Sequence, residues 1–437
     1  MTVLLFDLII FYPSVYLILN EIISSTKTKD SILMNTNQKD YLISLLLILL
    51  NPNLVLIDHG HFQYNSISLG LMQLAILFIL YYTHDNNNNN NSSKRNLLHL
   101  VLSSLFFTMA LNYKQMELYH ALPIFFYLLG LCFKSNIFKN GFVKLVFIGS
   151  TVILTFLILW LPFILNGLDS VAQVVTRIFP IKRGLFEDKV ANFWCSISPF
   201  IKLKENFSLD TLTKLSFLAT LLFNLPCCLN LLLRPSRQRF MIAIVNSALV
   251  FYLFSFQVHE KSIIIATVPA CLLINFYPFI ITWFILIANL SMLPLLIKDG
   301  LVMGYISTSL IFLLISTIYY KNRQTKESLN YWPNLKSFNN LIKFVYFLSL
   351  LGLLILTLCA LFLKPPKKLP DLWTVLICIY SCGHFIIFSI VFNLIQFTLK
   401  SEDLLLASTS GRLFNFDCSL FTYNNNNTLS DAKKKLN

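Results

Sequence analysis

The chain has 437 residues, of which 56% are hydrophobic and only 12% charged; it holds 40 Phe, and its mean hydropathy is +0.68. Soluble domains carry roughly 25% charged residues, so a single soluble core is excluded, and apolar runs that are near-continuous rather than alternating exclude a membrane β-barrel. The net charge of +14 fits loops that face the cytosol, where membrane proteins accumulate Lys and Arg, and it does not require nucleic acid.

A helix needs about 20 apolar residues to cross a bilayer, and fewer where it tilts or its flanks reach for the surface. Thirteen runs qualify, near 2–20, 41–57, 68–83, 97–111, 119–133, 143–166, 211–233, 239–257, 262–276, 278–297, 301–320, 343–363 and 372–397. The expected fold class is an all-α polytopic membrane protein, with one multi-span domain over 1–397 and a cytosolic low-complexity tail over 398–437. The first run has no basic flank and no small-residue cleavage site, and it contains Asp7 and Pro13, so a signal peptide is not expected. The nine cysteines fall mostly inside apolar runs without metal-binding or redox spacing. They are read as small apolar filler.

Thirteen crossings sort the loops onto two faces. One set comprises 21–40, 84–96, 134–142, 234–238, 321–342 and the tail. It carries most of the scattered Lys and Arg and the runs Asn86–Asn91 and Asn424–Asn427. Asn runs cannot bury apolar area, and the basic excess places this set in the cytosol. The other set comprises 58–67, 112–118, 167–210, 258–261, 298–300 and 364–371. Every dense cluster of His, acid, Lys and aromatic residues falls in it, which predicts one active face opposite the cytosol.

The densest cluster is Arg177–Cys195, where Arg177, Lys182, Arg183, Glu187, Asp188 and Lys189 fall within thirteen positions. Four cations suit a phosphate or pyrophosphate, which Arg grips bidentately. Glu187 and Asp188 would position a hydroxyl or a cation, and Gly184 would admit a ligand close to the backbone. The alternative is an amphipathic helix with balanced charges, lying in the membrane interface.

Asp58, His59 and His61, followed by Gln63, offer metal-ligand types, but no partner cluster has the spacing of a metal site. A hydrogen-bonding rim for a sugar or phosphate is the preferred reading, with plain solvation as the alternative. Lys114, Glu117 and His120 recur at i, i+3 and i+6, a spacing that puts them on one face of a helix. His259, Glu260 and Lys261 lie where two spans meet. Ionisable groups at that depth mark a site or snorkel to the surface. Lys261 would meet a phosphate as a point charge, and His259 would donate to an oxyanion.

Four stretches are long enough to carry a resemblance. They are Leu56-Ile57-Asp58-His59-Gly60-His61-Phe62-Gln63-Tyr64-Asn65-Ser66, Asn112-Tyr113-Lys114-Gln115-Met116-Glu117-Leu118-Tyr119, Arg177 through Trp194, and Phe254-Ser255-Phe256-Gln257-Val258-His259-Glu260-Lys261-Ser262. Together they resemble the dolichyl-phosphate-glucose-dependent glucosyltransferases of N-glycan assembly, and the likeness runs through Lys367-Lys368-Leu369-Pro370-Asp371-Leu372. Gly184-Leu185-Phe186-Glu187-Asp188-Lys189-Val190-Ala191-Asn192 resembles the members that add the first glucose.

The resemblance implies a GT-C bundle of helices with catalysis in luminal loops. It implies an inverting, single-displacement transfer that needs no cofactor or metal, from β-linked dolichyl-phosphate-glucose to Man9GlcNAc2-PP-dolichol, giving an α-1,3-glucoside. The partners implied are these two lipids and the endoplasmic reticulum bilayer. The residues implied in substrate binding are Asp58, His59, His61, Gln63, Lys114, Glu117, Arg177, Arg183, Glu187, Asp188, Lys189, His259, Glu260 and Lys261. The family's base is an Asp in an Asp-Tyr-Pro-Pro motif between its first two spans, and that motif does not occur here. The expectation is that the chain begins at the family's second span and that the base belongs to a first luminal loop preceding Met1. No base is therefore assigned, and Asp7, inside a span, is a poor substitute. The end Lys433-Lys434-Lys435-Leu436-Asn437 resembles a dilysine retrieval signal, which would fit a cytosolic carboxyl end; a solvated basic tail is the alternative. Other readings stay open: the second-glucose members, or a non-catalytic lipid-linked-sugar-binding or transporter-like membrane protein.

Overall fold

The computed structural model describes residues 2–24, 34–87, 93–134, 140–178, 189–324 and 336–399. Among these residues every regular element is a helix. Among the described residues ten helices are long and apolar enough to cross a membrane: Val3–Ile22, Tyr41–Gly60, Asn65–Thr83, Arg95–Tyr113, Gln115–Lys134, Phe142–Leu165, Leu209–Leu233, Val302–Tyr319, Leu341–Phe362 and Leu372–Thr398. A rise of about 1.5 Å per residue makes the 20-residue members close to 30 Å long, the thickness of bilayer hydrocarbon.

The count of thirteen is not reached by this measure. The remaining three expected spans are helical too, as Arg237–Phe254, as Ile264–Leu272, and as Pro278–Ser291 followed by Leu293–Lys298. They are shorter or less apolar, and they are the most buried part of the bundle. A helix walled in by protein has no need of a uniformly apolar surface, provided its polar groups find partners. Arg237–Phe254 illustrates this: Ser247 Oγ donates to the Tyr119 carbonyl at 2.8 Å, and Asn246 Oδ1 accepts from Ser389 Oγ at 2.8 Å. The outer helices are the reverse. Phe142–Leu165 and Leu341–Phe362 bury only 6% and 11% of their apolar windows. They leave Phe147, Ile158, Phe347 and Ile355 for hydrocarbon to cover.

Contacts between loops distant in sequence respect the two expected faces. At one end His61 meets Asp299, Lys189 meets Asp371, and Trp194 Nε1 donates to the Phe254 carbonyl. At the other Glu21 meets Arg237, and Arg239 donates to the Leu399 carbonyl. Of the central helices, Arg237–Phe254 runs between these ends, since Arg237 lies at one and Phe254 at the other.

Gly130 shows how closely the helices approach. A Cβ there would sit 2.9 Å from the carbonyl oxygens of both Leu231 and Leu232, so only glycine lets Ala121–Lys134 pack against Leu209–Leu233 at that level. The eight described cysteines are free thiols, seven of them buried, in keeping with apolar filler. Leu168–Ile178 is strongly amphipathic and buries no residue, the form of a helix that lies in the membrane interface.

Candidate functional site

The site is built from the segments that begin or end helices at one end of the bundle. Asn51 caps a short helix, Pro52–Leu54, which widens into a π-turn over Val55–Gly60. Turns of this kind accommodate an extra residue and recur at functional positions. Here the π-turn buries Asp58 completely. Its carboxylate accepts from Asn65 Nδ2 at 2.5 Å and from the Ser66 backbone N–H at 2.8 Å, so it also serves the first turn of the Asn65–Asn87 helix. Asn65 Oδ1 accepts in turn from Lys114 Nζ. Burial pushes the Lys114 ammonium below the usual lysine value and Lys261 adds to this by repulsion, while Asp58 and Glu117 pull it back up. Lys114 thus sits within electrostatic reach of charges from three separate loops.

Glu117 and His120 lie on the 3-10 turn Gln115–His120. At three residues per turn, i and i+3 eclipse, and Glu117 Oε2 lies 2.9 Å from His120 Nδ1. Both side chains are fully buried, and His120 Nε2 lies 3.1 Å from the Ile265 carbonyl. Of the three residues expected on one helical face, Glu117 and His120 share this turn, whereas Lys114 precedes it in an extended conformation.

His59 and His61 diverge. His59 Nε2 lies 3.1 Å from Asp7 Oδ2 of a second π-turn, Asp7–Phe11, and His61 Nδ1 lies 2.6 Å from Asp299 Oδ2. Asp58, His59 and His61 therefore face three different partners, and among the described residues no three His, Cys, Asp or Glu gather as a metal-ligand set. Gln63 Oε1 accepts from Asn65 Nδ2 at 3.2 Å. Glu260, nearly buried, opens a 3-10 turn with Lys261 after His259, and its charge reaches Cys378 at the start of the last helix.

The backbone carries strain at the same place. Among the described residues two non-glycine positions have positive φ, Phe62 at 65° and Gln257 at 55°. Side chains rarely tolerate this region, and it clusters at ligand sites. Phe62 and Gln257 belong to the two loops that carry His61 and His259.

The long loop is anchored where it re-enters the bundle. Lys189 pairs with Asp371, its carbonyl accepts from Cys378 Sγ at 3.3 Å, and Asn192 caps the next turn by accepting from the Cys195 N–H at 2.8 Å. Arg177 stands exposed in the last turn of Leu168–Ile178 and makes no ion pair among the described residues. Lys182, Arg183, Gly184, Glu187 and Asp188 lie outside the described residues.

The sequence reading did not single out Asn65, Ser66, Asp299 or Asp371 as site residues. Asn65 is the link that joins Asp58 to Lys114, and its place, at a helix start seven residues after a buried acid, is the only local sign of that role.

With this geometry in place, comparison with known proteins decides the family. Residues 1–391 match the pattern described as the ALG6, ALG8 glycosyltransferase family. The chain belongs to this family. Among curated relatives it is 43% identical over 406 residues to "Dolichyl pyrophosphate Man9GlcNAc2 alpha-1,3-glucosyltransferase" of Gallus gallus, covering 90% of this chain and 75% of that protein. It is 42% identical over 409 residues to the protein of the same description from Pongo abelii, with the same two shares. A "Probable dolichyl pyrophosphate Man9GlcNAc2 alpha-1,3-glucosyltransferase" of Dictyostelium discoideum is 37% identical over 403 residues, covering 89% of this chain and 72% of that protein. The expected GT-C glycosyltransferase bundle is thus the family's own architecture, realised as the helices described above.

Proposed function

We infer that this chain is a hexosyltransferase of the endoplasmic reticulum membrane that adds the first glucose, in α-1,3 linkage, to Man9GlcNAc2-PP-dolichol. The observation that carries the reading is the 43% identity to a relative so described, sustained over 90% of the chain. The donor in this reading is dolichyl-phosphate-glucose, and the transfer is a single displacement that uses no metal. Such a displacement needs a base for the acceptor hydroxyl and cations to take up charge on the leaving phosphate. Lys114 and Lys261, held near one another despite their repulsion, supply cations; Lys189 and the Arg177–Asp188 segment supply more. Asp58 and Glu117 are buried against protein partners and orient Asn65, Lys114 and His120, leaving the cations and the His61–Gln63 rim to meet substrate.

The cluster lies on the luminal face in this reading, with the carboxyl end in the cytosol and the closing Lys434 and Lys435 available as a retrieval signal. The excess of Lys and Arg on the opposite loops supports that orientation. The test is transfer in microsomes supplied with dolichyl-phosphate-glucose and Man9GlcNAc2-PP-dolichol. Glucose on the nonamannosyl lipid is the expected product, and no transfer by this chain or by an amino-terminally extended form overturns the reading.

A further inference from the structure

The opposite end of the bundle holds a cavity of about 930 Å³ lined by Lys134, Arg234 and Arg239, with Phe133, Leu233 and Phe397 beside them. No acidic residue lines it among the described residues. Arg237 and Arg239 start the same helix and make a useful contrast. Arg237 Nη2 has a carboxylate partner, Glu21 Oε1, at 2.8 Å. Arg239 is more deeply buried, at 3% exposure, yet has none among the described residues. It donates to the Leu399 carbonyl and, at a long 3.4 Å, to Ser236 Oγ, while its Nε–H finds no acceptor. The charge acting on it is Arg234, of like sign.

A buried guanidinium without a counter-charge, as Arg239 is among the described residues, is costly because its desolvation is not offset. The Leu399 carbonyl accounts for one of its five N–H groups. The remainder of the pocket presents two exposed cations and a strip of apolar side chains; Phe133, Leu233 and Phe397 are 50%, 77% and 47% exposed. Three helices finish beside it, at Lys134, Leu233 and Thr398. The cations therefore lie where helices leave the hydrocarbon, at headgroup depth. Free phosphate would use the cations but not the apolar strip, whereas a lipid phosphate uses both.

We propose that this pocket binds the phosphate headgroup of an anionic membrane lipid, with Arg239 as its buried anchor and Lys134 and Arg234 closing over it. Nothing in the transfer reaction requires this site, which lies at the other end of the helices from Asp58.

The test uses the full-length protein, purified and delipidated in mild detergent, with dioleoyl phosphatidic acid as the probe and dioleoyl phosphatidylcholine as the neutral control. Native mass spectrometry should show phosphatidic acid retained by the unaltered chain and at least tenfold less retained by Lys134→Ala/Arg234→Ala. Both substituted side chains are exposed, so the variant should fold and keep its melting temperature without lipid. Arg239→Gln should lose retention further, and its elution profile reports whether it folds. Equal retention by the unaltered chain and the double variant overturns the proposal. Displacement of the lipid by inorganic phosphate at equal concentration overturns it in favour of a free-phosphate site. Retention that appears only in Glu402→Gln/Asp403→Asn overturns it in favour of the chain's own acidic residues as occupant.

Discussion

The two ends of this bundle handle charge in opposite ways. At the Asp58 end, acids and bases from different loops interleave: Asp58 serves Asn65 and Ser66, Asn65 holds Lys114, Glu117 holds His120, Asp299 meets His61, and Asp371 meets Lys189. At the Arg239 end the charged side chains that line the pocket, among the described residues, are all cations. The first arrangement sets acids beside bases and fixes positions before any substrate arrives, which is what positioning for group transfer requires. The second leaves charge uncompensated and so selects an anion from outside. Lysines at one end of a membrane protein therefore carry a different meaning from lysines at the other, and net charge alone conceals the distinction.

The comparison breaks outright if the faces are assigned to the wrong compartments. Asn206-Phe207-Ser208 is a glycosylation sequon on the Asp58 side, with Asn206 exposed. Its glycan should be detected as an endoglycosidase-sensitive mass shift that Asn206→Gln abolishes. Asn90 and Asn91 also begin sequons and should stay bare; a glycan on Asn91 reverses the orientation.

The next effect in size concerns the buried pair. Glu117→Ala strands His120 in a dry site and should cost about 3 kcal/mol of stability, read as a lower melting temperature in detergent. Glu117→Gln keeps an acceptor for His120 and should cost about 1 kcal/mol. Equal losses would mean that the volume of residue 117 matters and its oxygen does not.

A smaller effect is one of pH. Lys114 holds its proton less tightly in the folded chain than in the unfolded one because it is buried. Between its lowered value and the ordinary lysine value of about 10.4, the unfolded chain binds more protons, so stability rises with pH in that window. Lys114→Met should flatten this rise. A slope unchanged by the substitution would assign it to another group.

The smallest stability effect is expected at Lys189. Its partnership with Asp371 is solvent-exposed, and such pairs contribute at most about 1 kcal/mol. Lys189→Ala should leave melting almost unchanged while lowering transfer. Arg183→Ala, in the same loop, should do the same. The swap Lys189→Asp/Asp371→Lys separates two roles: recovered transfer would mean that the pair only anchors the loop, and continued loss that Lys189 meets a substrate phosphate.

Much of this was legible in the sequence because hydropathy fixes where helices run and alternation then fixes which loops share a face. Lys114, Glu117 and His120 were legible as a group from their spacing, and Asp58, His59 and His61 as a cluster from their density. What they touch was not. Lys114 reaches Asn65 across 49 positions, and His61 reaches Asp299 across 238, separations that no local pattern encodes. The three central helices were visible as apolar runs, but not their confinement inside the bundle, which follows from packing. The π-turn at Val55–Gly60 leaves no mark in hydropathy at all.

That turn has a consequence for how the site tolerates change in length. One residue rotates everything beyond it on an α-helix by about 100°. Deleting a single apolar residue just before the turn, such as Leu54, would leave composition and span length almost untouched, yet it would swing Asp58 out of phase with Asn65 and Ser66. The polar cluster is thus a matter of helical phase as much as of residue identity. A one-residue insertion or deletion just upstream acts on it as a switch, silent in every average property of the span.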